Sequence, residues 1–204
     1  MGILSGALTV RRFRVLGEVP EGFRERYRER LNDYAFRTPP TEVGKEELEG
    51  WVQVQNLLDT DFDDLNTWLF DPYAVFALRV DKKVLPAKLL KAHVDKRCAA
   101  WAHEHGQDRC PASKRSEIKE ALEEEWLKRT LPRVQVTELC WNQQAGYLVL
   151  HSLSESVSER VRKRFYQTFG LKIVPWSPLD WFEEEAQVSE LLSAAPAAFH
   201  GDSP

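Results

Sequence analysis

Residues 134–150, VQVTELCWNQQAGYLVL, decide the fold that this sequence predicts. Apolar residues alternate on both sides of a short polar segment, Asn142-Gln143-Gln144-Ala145-Gly146. The first run carries Val134, Val136, Leu139 and Trp141, and the second carries Tyr147 and Val149 on one face with Leu148 and Leu150 on the other. Two alternating runs joined by a short glycine-containing turn are typical of a β-hairpin. We therefore predict two neighbouring antiparallel strands here.

The residues after this hairpin predict one more helix and one more strand. Ser154 to Phe169 has the pattern of a helix, and Gly170 stands where a glycine commonly ends one. Leu171 to Val174 then predicts a short final strand.

Two helices are predicted before the hairpin. The first begins at Pro86 and places Leu90, Val94 and Cys98 on one side, and Gly106 and Pro111 interrupt it. The second follows Ser113, which we interpret as its N-cap, and it runs to Pro132 with an apolar stripe formed by Ile118, Leu122, Trp126 and Leu127. Together they predict a helical hairpin.

The N-terminal part predicts a strand over Ala7 to Leu16, a helix from Pro20 to Pro39, a strand near Trp51 and a strand from Tyr73 to Val80. The resulting order of elements favours an α+β fold with antiparallel sheets packed with helices, in which two loosely similar halves are joined by the long helical hairpin. We divide the chain into residues 1–80, an N-terminal α+β part, 81–133, the helical hairpin, 134–182, the β-hairpin, helix and strand, and 183–204, an acidic and flexible tail.

The charge is unevenly distributed along the 204 residues. The net charge of −4 at first speaks against a polyanionic partner. However, residues 42–71 hold nine acidic residues against Lys45, and residues 177–204 hold six acidic residues and no Lys or Arg. Residues 79–133 hold fourteen Lys and Arg against nine acidic residues. Because a polyanion responds to charge within about 8–10 Å at physiological salt, the local excess of +5 matters more than the total.

No apolar run is long enough to span a bilayer, and arginines interrupt the short apolar stretch at the N-terminus, so the sequence predicts a cytoplasmic protein without a signal peptide or membrane contact. Three cysteines, Cys98, Cys110 and Cys140, favour reduced thiols over a disulfide framework. Glycine-rich phosphate loops, a nucleophile elbow and a His-Glu-x-x-His pair are absent from the sequence, and no cofactor is expected.

Three weaker patterns are compatible with metal chemistry. Asp59, Asp61, Asp63 and Asp64 begin like a calcium loop. However, the sixth and twelfth positions hold Asp64 and Phe70 in place of Gly and Glu, which favours a solvated acidic loop.

The second pattern is a group of side chains that could offer thiolate and imidazole ligands to zinc. Its spacing matches no usual zinc site and favours an ordinary hairpin tip. Its members are His93, Cys98, His103, His105 and Cys110.

The third pattern resembles a magnesium-dependent nuclease. Asp71 precedes an apolar strand, and Asp81 with Lys83 follows it, so two carboxylates would hold Mg²⁺ while the lysine acts on the scissile phosphate. The motif is short, and Asp81 equally suits the polar end of a strand.

Basic residues are concentrated on and around the two predicted hairpin helices. A set of lysines and arginines spread along a path can bind phosphates without reading bases, and such binding weakens steeply with salt. An ordinary solvated helix surface is the alternative interpretation. The candidate DNA-binding residues are Lys82, Lys83, Lys88, Lys91, Lys96, Arg97, Lys114, Arg115, Lys119, Lys128 and Arg133, with a shorter cluster at Arg160, Arg162, Lys163 and Arg164.

Several short segments, taken in order, resemble the RdgC family of recombination-associated proteins. They are KVLPAKLLK (83–91), KRSEIKE (114–120), TLPR (130–133), the Trp141 hairpin, the helix over 157–169, VPWSP (174–178), YAF (34–36) and EGWV (49–52). The resemblance covers about residues 5–182, and its specificity comes from the order and spacing of the segments.

This resemblance implies an α+β homodimer that forms a ring around duplex DNA without sequence preference and restrains a RecA-type recombinase, without catalysis. The family's lysine-rich helical region matches residues 82–97 and 114–133. In the family roughly another third of the chain follows the equivalent of Pro178, whereas 26 residues follow it here, so we expect a shortened member and leave ring closure open.

We therefore predict a nucleoid-associated, non-enzymatic DNA-binding protein that modulates homologous recombination. The principal alternative is a protein-interaction module without DNA binding, which would use its acidic segments to contact a basic partner. A magnesium-dependent nuclease is the less favoured alternative.

Overall fold

The computed structural model describes residues 2–4, 6, 8–38 and 47–177, together with residues 189 and 193. The strands are β1 (Arg11–Leu16), β2 (Leu48–Val52), β3 (Leu69–Phe70), β4 (Tyr73–Lys82), β5 (Arg133–Asn142), β6 (Tyr147–Leu150) and β7 (Lys172–Pro175). The helices are α1 (Phe23–Asp33), α2 (Ala87–Glu104), α3 (Ala112–Arg129) and α4 (Glu155–Phe169). The predicted α+β class is confirmed.

All seven strands belong to one antiparallel sheet with the order β2-β4-β5-β6-β1-β7, and β3 pairs with the start of β4. The predicted hairpin forms β5 and β6, whose register joins Asn142 to Tyr147. Strands β4 and β5 pair along ten residues each, from Tyr73 opposite Asn142 to Lys82 opposite Arg133. The α2–α3 hairpin is therefore an insertion between two neighbouring strands, and the parts on either side of it share one sheet.

An aromatic core lies between this sheet and the helices α1 and α4. Trp141 of β5 is 1% exposed and contacts the rings of Tyr27, Phe165 and Phe169 at centroid distances of 5.5, 5.2 and 5.4 Å. The indole of Trp51 donates a buried hydrogen bond of 2.8 Å to the Thr168 hydroxyl, which ties β2 to α4. Apolar residues at the alternating positions of each strand supply the rest of this core.

The α2–α3 hairpin has a much smaller apolar cluster of its own. Leu90, Val94 and Cys98 of α2 pack against Leu122 of α3, with Cys110, Ile118 and Trp126 at the edge. The two helices contact chiefly each other. The hairpin is therefore held to the sheet mainly through its two connections to β4 and β5.

Two details of the sequence prediction are wrong at the local level. Ser113 is not an N-cap, because α3 begins at Ala112 and Pro111 occupies the cap position with extended backbone. Asp81 does not follow β4 but lies within it and is buried, because the strand continues to Lys82 in register with β5. By contrast Gly170 ends α4 with a left-handed φ of 73°, as predicted.

The acidic tail at residues 183–204 lies outside the described residues, apart from 189 and 193. Among the helices that the structure describes, none combines the length and the apolar composition needed to cross a bilayer.

Candidate nucleic-acid interface

The α2–α3 hairpin exposes most of the predicted DNA-binding cations. Each helix has 18 residues and is therefore about 27 Å long at ~1.5 Å per residue. Nine of the eleven predicted residues are exposed, and Lys83 and Lys114 are half-buried. The sequence prediction of a basic, solvent-facing surface on this hairpin agrees with these exposures, whereas DNA binding itself is not tested by them.

Six of the eleven cations form ion pairs with carboxylates. Five of these pairs join atoms at 2.5–3.8 Å: Lys82–Glu47, Arg97–Glu125, Lys114–Glu117, Lys119–Glu123 and Lys128–Glu124. The sixth joins Arg115 of α3 to Asp95 of α2, and the hydrogen bond that Arg115 donates to Asp95 is the main reason why the pKa of Arg115 is raised. Exposed ion pairs of this kind contribute about 0–1 kcal/mol each to stability. They orient the cations, and an external anion can replace the carboxylate at little cost.

Five predicted cations have no ion pair within the described part of the chain; Lys83 donates to a backbone carbonyl, and the other four are exposed. Lys88, Lys91 and Lys96 lie on α2, and Arg133 begins β5. Arg133 stands directly opposite Lys82 in the β4–β5 register, so two cations are neighbours where the hairpin joins the sheet. These residues are the most available for an external anion.

A pocket of about 630 Å³ gathers five of the eleven cations at the base of the hairpin. We call it the hairpin pocket; its lining residues are Lys82, Lys83, Val84, Leu85, Ala87, Leu90, Lys91, Val94, Arg115, Lys119, Glu123 and Leu127. The ammonium of Lys83 donates a hydrogen bond of 2.6 Å to the carbonyl of Leu127 and so fastens the connection after β4 to the end of α3. The other six predicted residues lie outside this pocket.

Glu47 connects the base of the hairpin to α4. Its carboxylate accepts hydrogen bonds from Lys82 at 2.5 Å and from Arg160 at 2.7 Å. These two hydrogen bonds hold the pKa of Glu47 below its usual range. Arg164 similarly binds Glu49, which lies in β2. Two members of the predicted Arg160–Arg164 cluster thus attach α4 to the β2 edge of the sheet.

The other two members of that cluster face a different groove. Arg162 and Lys163 line it together with the half-exposed ring of Tyr166 and with Lys172 of β7. Sequence reasoning did not single out Lys172, because a lone lysine in a short strand gives no pattern. A second missed cation is Arg12 of β1, whose guanidinium lies 5.5 Å from the ring centroid of Tyr147. Arg12 precedes the buried Phe13 in β1, and neighbouring residues of a strand point to opposite faces of the sheet. This alternation could have placed Arg12 on the outer face.

The nuclease motif predicted from Asp71, Asp81 and Lys83 is not assembled by the fold. Asp71 precedes β4 and Asp81 lies near its other end, so about 30 Å of extended strand at ~3.3 Å per residue separates them. Asp81 is also buried and forms a two-pronged salt bridge with Arg79, at 2.8 and 2.7 Å. The two carboxylates therefore cannot share one metal ion.

Four of the five predicted cysteine and histidine ligands contact other side chains, and the fifth, His103, is exposed. Cys110 lies beside Cys98, and burial together with this contact raises the pKa of the Cys110 thiol. The ring of His93 meets Trp126 edge-on at 5.2 Å, and His105 stacks on Trp101 at 4.2 Å. Within the described residues, no group of three or more His, Cys, Asp or Glu side chains is arranged to hold a metal ion.

The acidic loop is organised by its own backbone. The carboxylates of Asp59 and Asp61 accept hydrogen bonds from the amides two residues later, at 3.1 and 2.8 Å. Asp63 accepts a hydrogen bond from the Asn32 amide at 2.8 Å. Asp61, Asp63 and Asp64 are exposed, which agrees with the prediction of a solvated acidic loop.

The structure thus defines a class by its architecture: a single antiparallel α+β sheet with a cation-rich helical hairpin inserted between two neighbouring strands. A family model described as "Putative exonuclease, RdgC" matches residues 12–193. The chain therefore belongs to the RdgC family, as the resemblance of its segments predicted. No match was found among curated proteins. The family description names an exonuclease, whereas the sequence predicted no catalysis; the description assigns no catalytic residue to this chain.

Proposed function

We propose that this RdgC-family chain binds double-stranded DNA without sequence preference and without cleaving it, and that it modulates homologous recombination by limiting a RecA-type recombinase. The cations of the α2–α3 hairpin and its two connections to the sheet contact phosphates. Two copies of the chain clamp or enclose the duplex, as the family resemblance implies.

The observation that carries this proposal is the set of unpaired lysines on α2. Lys88, Lys91 and Lys96 are exposed and have no ion pair within the described part of the chain. Eight residues of helix separate the first from the last, which is about 12 Å at ~1.5 Å per residue. Duplex DNA carries about one charge per 1.7 Å of its axis, so several phosphates are available over that length.

The exposed ion pairs of the hairpin add to this capacity. A phosphate can replace the carboxylate that now faces Arg97 or Lys128, because each exposed pair contributes only about 0–1 kcal/mol. Lysine offers a point charge rather than a fixed fork of donors, so contacts made mainly by lysine favour the DNA backbone over base edges. Binding is therefore expected to depend on salt and to be indifferent to sequence.

Fluorescence anisotropy with two unrelated labelled duplexes tests the proposal. We expect both duplexes to bind alike, with an affinity that falls steeply between about 50 mM and about 200 mM salt. Absence of binding at the lower salt concentration, or binding that ignores salt, would contradict the proposal and favour a protein-interaction module.

Charge reversal locates the contacts. Reversing Lys114, Arg115 or Lys119 would also break their ion pairs, so Lys88→Glu with Lys96→Glu is the sharper variant. We expect it to weaken DNA binding about tenfold or more and to reduce the salt slope by about one for each lost contact. The matched control is Arg26→Glu with Arg37→Glu, which makes the same change in net charge at exposed positions that form no ion pair within the described part of the chain and should retain the affinity within about twofold.

Incubation of labelled duplex and single-stranded DNA with the protein and Mg²⁺ tests the non-catalytic part of the proposal. We expect intact DNA at all times. Mg²⁺-dependent cleavage by the wild type would overturn this part, and its persistence in the Asp81→Asn variant would locate the nuclease site elsewhere in the chain.

A further inference from the structure

The hairpin pocket combines an apolar floor with a cationic rim. Six of its twelve lining residues are aliphatic, five are Lys or Arg, and one is glutamate. The aliphatic residues come from the connection after β4 and from both helices; Val84, Leu90, Val94 and Leu127 are among them. A volume of about 630 Å³ lies within the ~300–1,000 Å³ that ligand pockets usually occupy.

The rim keeps a positive excess after its internal pairs are formed. Lys82, Arg115 and Lys119 each face one carboxylate, from Glu47, Asp95 and Glu123 respectively. Lys83 donates to a backbone carbonyl, and Lys91 has no ion pair within the described part of the chain. Five cations therefore face three carboxylates, which leaves a local excess of +2 beside an apolar surface.

This combination selects the chemistry of the occupant. None of the lining residues is aromatic or carries an amide, so a nucleobase would find neither a stacking surface nor partners for its polar edge. The cations of the rim come from three segments of the chain. A ligand with a single carboxylate would contact only one of these segments and would leave the other cations without an anionic partner. An acidic peptide with a large apolar side chain satisfies both features, because the side chain fills the floor and the carboxylates meet the rim.

The chain itself contains such a peptide. Residues 179–186 read LDWFEEEA, in which Trp181 and Phe182 stand between Asp180 and three consecutive glutamates. This segment lies outside the described residues. Trp and Phe each bury about 150–250 Å² in a suitable site, which is the largest apolar contribution that side chains provide.

The register of the sheet favours a second copy of the chain as the source of this segment. Pro175 pairs with Phe13, and Phe13 pairs in turn with Leu148 on its other side. Leu148 pairs with Trp141, which pairs with Ala74. Pro175 and Ala74 therefore lie in one row across the sheet. Lys82 is eight residues further along β4 and four strands across, so about 32 Å separates it from Pro175 at ~3.3 Å per residue and ~4.8 Å per strand. Six extended residues span at most about 21 Å.

We propose that the hairpin pocket binds residues 179–186 of a second copy of this chain, with Trp181 or Phe182 in the apolar floor and the flanking carboxylates on Lys83, Lys91 and the other rim cations. This docking does not require DNA, but it engages five of the cations that the proposed function assigns to phosphates, so duplex DNA and the acidic segment compete for them. It joins two copies through a segment of one and a preformed site of the other.

Peptide binding is the first test. A fluorescein-labelled peptide of residues 179–186 is titrated with the full chain carrying Trp181→Ser and Phe182→Ser, so that the protein's own segment does not compete. We expect saturable binding, and at least about tenfold weaker binding of a control peptide in which both aromatic residues are serine and all four carboxylates remain. Equal binding of the two peptides, or no binding of either, would overturn the proposal.

Substitutions of exposed residues test the location of the binding site without disturbing the fold. Val84 is 55% exposed and lines the pocket, so Val84→Asp adds a negative charge there without emptying a core. Leu89 is 51% exposed on α2 and does not line the pocket, so Leu89→Asp is the matched control. We expect about tenfold weaker peptide binding for Val84→Asp and less than a twofold change for Leu89→Asp. The reverse order, or equal losses, would contradict the assignment of the site.

The source of the segment is tested by cross-linking in the full chain. Phe182 is replaced by photoreactive benzoylphenylalanine, and chains labelled with ¹⁵N are mixed with unlabelled chains. We expect cross-links that join the segment of one isotope to residues 82–94 or 115–127 of the other. Cross-links to other regions, or only within chains of one isotope, would show that a second copy does not supply the occupant. A failure of DNA binding would leave these results unchanged.

Discussion

The sheet with α1 and α4 and the α2–α3 hairpin differ in how they are held together. The sheet region has a core of nineteen buried residues among those described, and its largest members are tryptophan, tyrosine and phenylalanine. The hairpin cluster has four buried residues, Leu90, Val94, Cys98 and Leu122, between two helices that contact chiefly each other. Its surface carries most of the predicted DNA-binding cations instead.

This difference separates stability from binding. Aromatic burial supplies the free energy that holds the sheet region together, since the hydrophobic effect grows with the apolar area removed from water. The hairpin depends on a narrow apolar seam, so its two helices can carry a high density of charge. Changes in the sheet core should therefore unfold the protein, whereas changes on the hairpin surface should alter binding and leave stability unchanged.

Removal of Trp141 is expected to have the largest effect on stability. Trp141→Ala deletes the ring that contacts Tyr27, Phe165 and Phe169 and leaves a cavity. We expect the free energy of unfolding to fall by about 3–5 kcal/mol, measured by urea denaturation. The control Leu131→Ala changes a side chain that is 87% exposed and should stay within about 0.5 kcal/mol. Similar losses in both variants would show that the aromatic core is not the main source of stability.

Asp81→Ala tests the buried ion pair where the sheet meets the hairpin. Arg79 would remain in a position that is 12% exposed, without its carboxylate partner. We expect a loss of about 3 kcal/mol in the same denaturation experiment. Asp71→Ala removes an exposed partner of Arg24 and should cost less than about 1 kcal/mol. If Asp81→Ala left stability unchanged, a structural role for this carboxylate would be wrong.

Leu122→Ala measures how far the hairpin is independent of the sheet. Leu122 is fully buried in the hairpin cluster, so the substitution should cost about 2–3 kcal/mol. We expect hydrogen exchange to accelerate in residues 87–129 while the amides of β4 and β5 keep their protection. Equal acceleration in both regions would mean that the hairpin and the sheet unfold as one unit.

The smallest expected effect comes from Tyr27 and reports on the sheet core alone. Burial raises the pKa of Tyr27 to about 12, and the neighbouring Arg26 opposes part of this shift. The folded state therefore holds the phenol proton more tightly than the unfolded state, whose pKa is about 10, so this contribution is complete below pH 10 and is lost as the pH rises through 12.

The Tyr27→Phe variant isolates this contribution. The Tyr27 hydroxyl is buried and has no hydrogen-bond partner, so the variant should be at least as stable as the wild type at neutral pH. Between pH 9 and pH 11 we expect the wild type to lose about 1 kcal/mol more than the variant. Parallel pH profiles would contradict the burial of this phenol.

The sequence predicted the order of the elements well, because alternation in residues 134–150 and three- to four-residue spacing in the helices are local signals. It did not predict that β4 and β5 pair along their whole length, since a strand's partner is set by tertiary packing. Ser113 was assigned to a cap because its side chain suits that role, yet Pro111 takes the position with its fixed φ.

The candidate site was predicted in composition but not in geometry. The sequence identified the eleven cations, whereas their ion pairs with Glu47 and Asp95 join distant parts of the chain and have no local signal. The hairpin pocket was missed for the same reason, since its lining comes from the connection after β4 and from both helices. Asp81 shows the converse case: its partner Arg79 is two residues away, on the same face of the strand, and alternation could have revealed it.

Hydrogen exchange of the full chain with and without duplex DNA tests the central claim most directly, namely that the hairpin binds DNA while the sheet region supplies stability. At low salt we predict DNA-dependent protection in α2, α3 and the residues that connect them to β4 and β5, with unchanged exchange in β1, β6 and β7. Protection confined to the sheet region, or no protection under conditions where DNA is bound, would contradict the account.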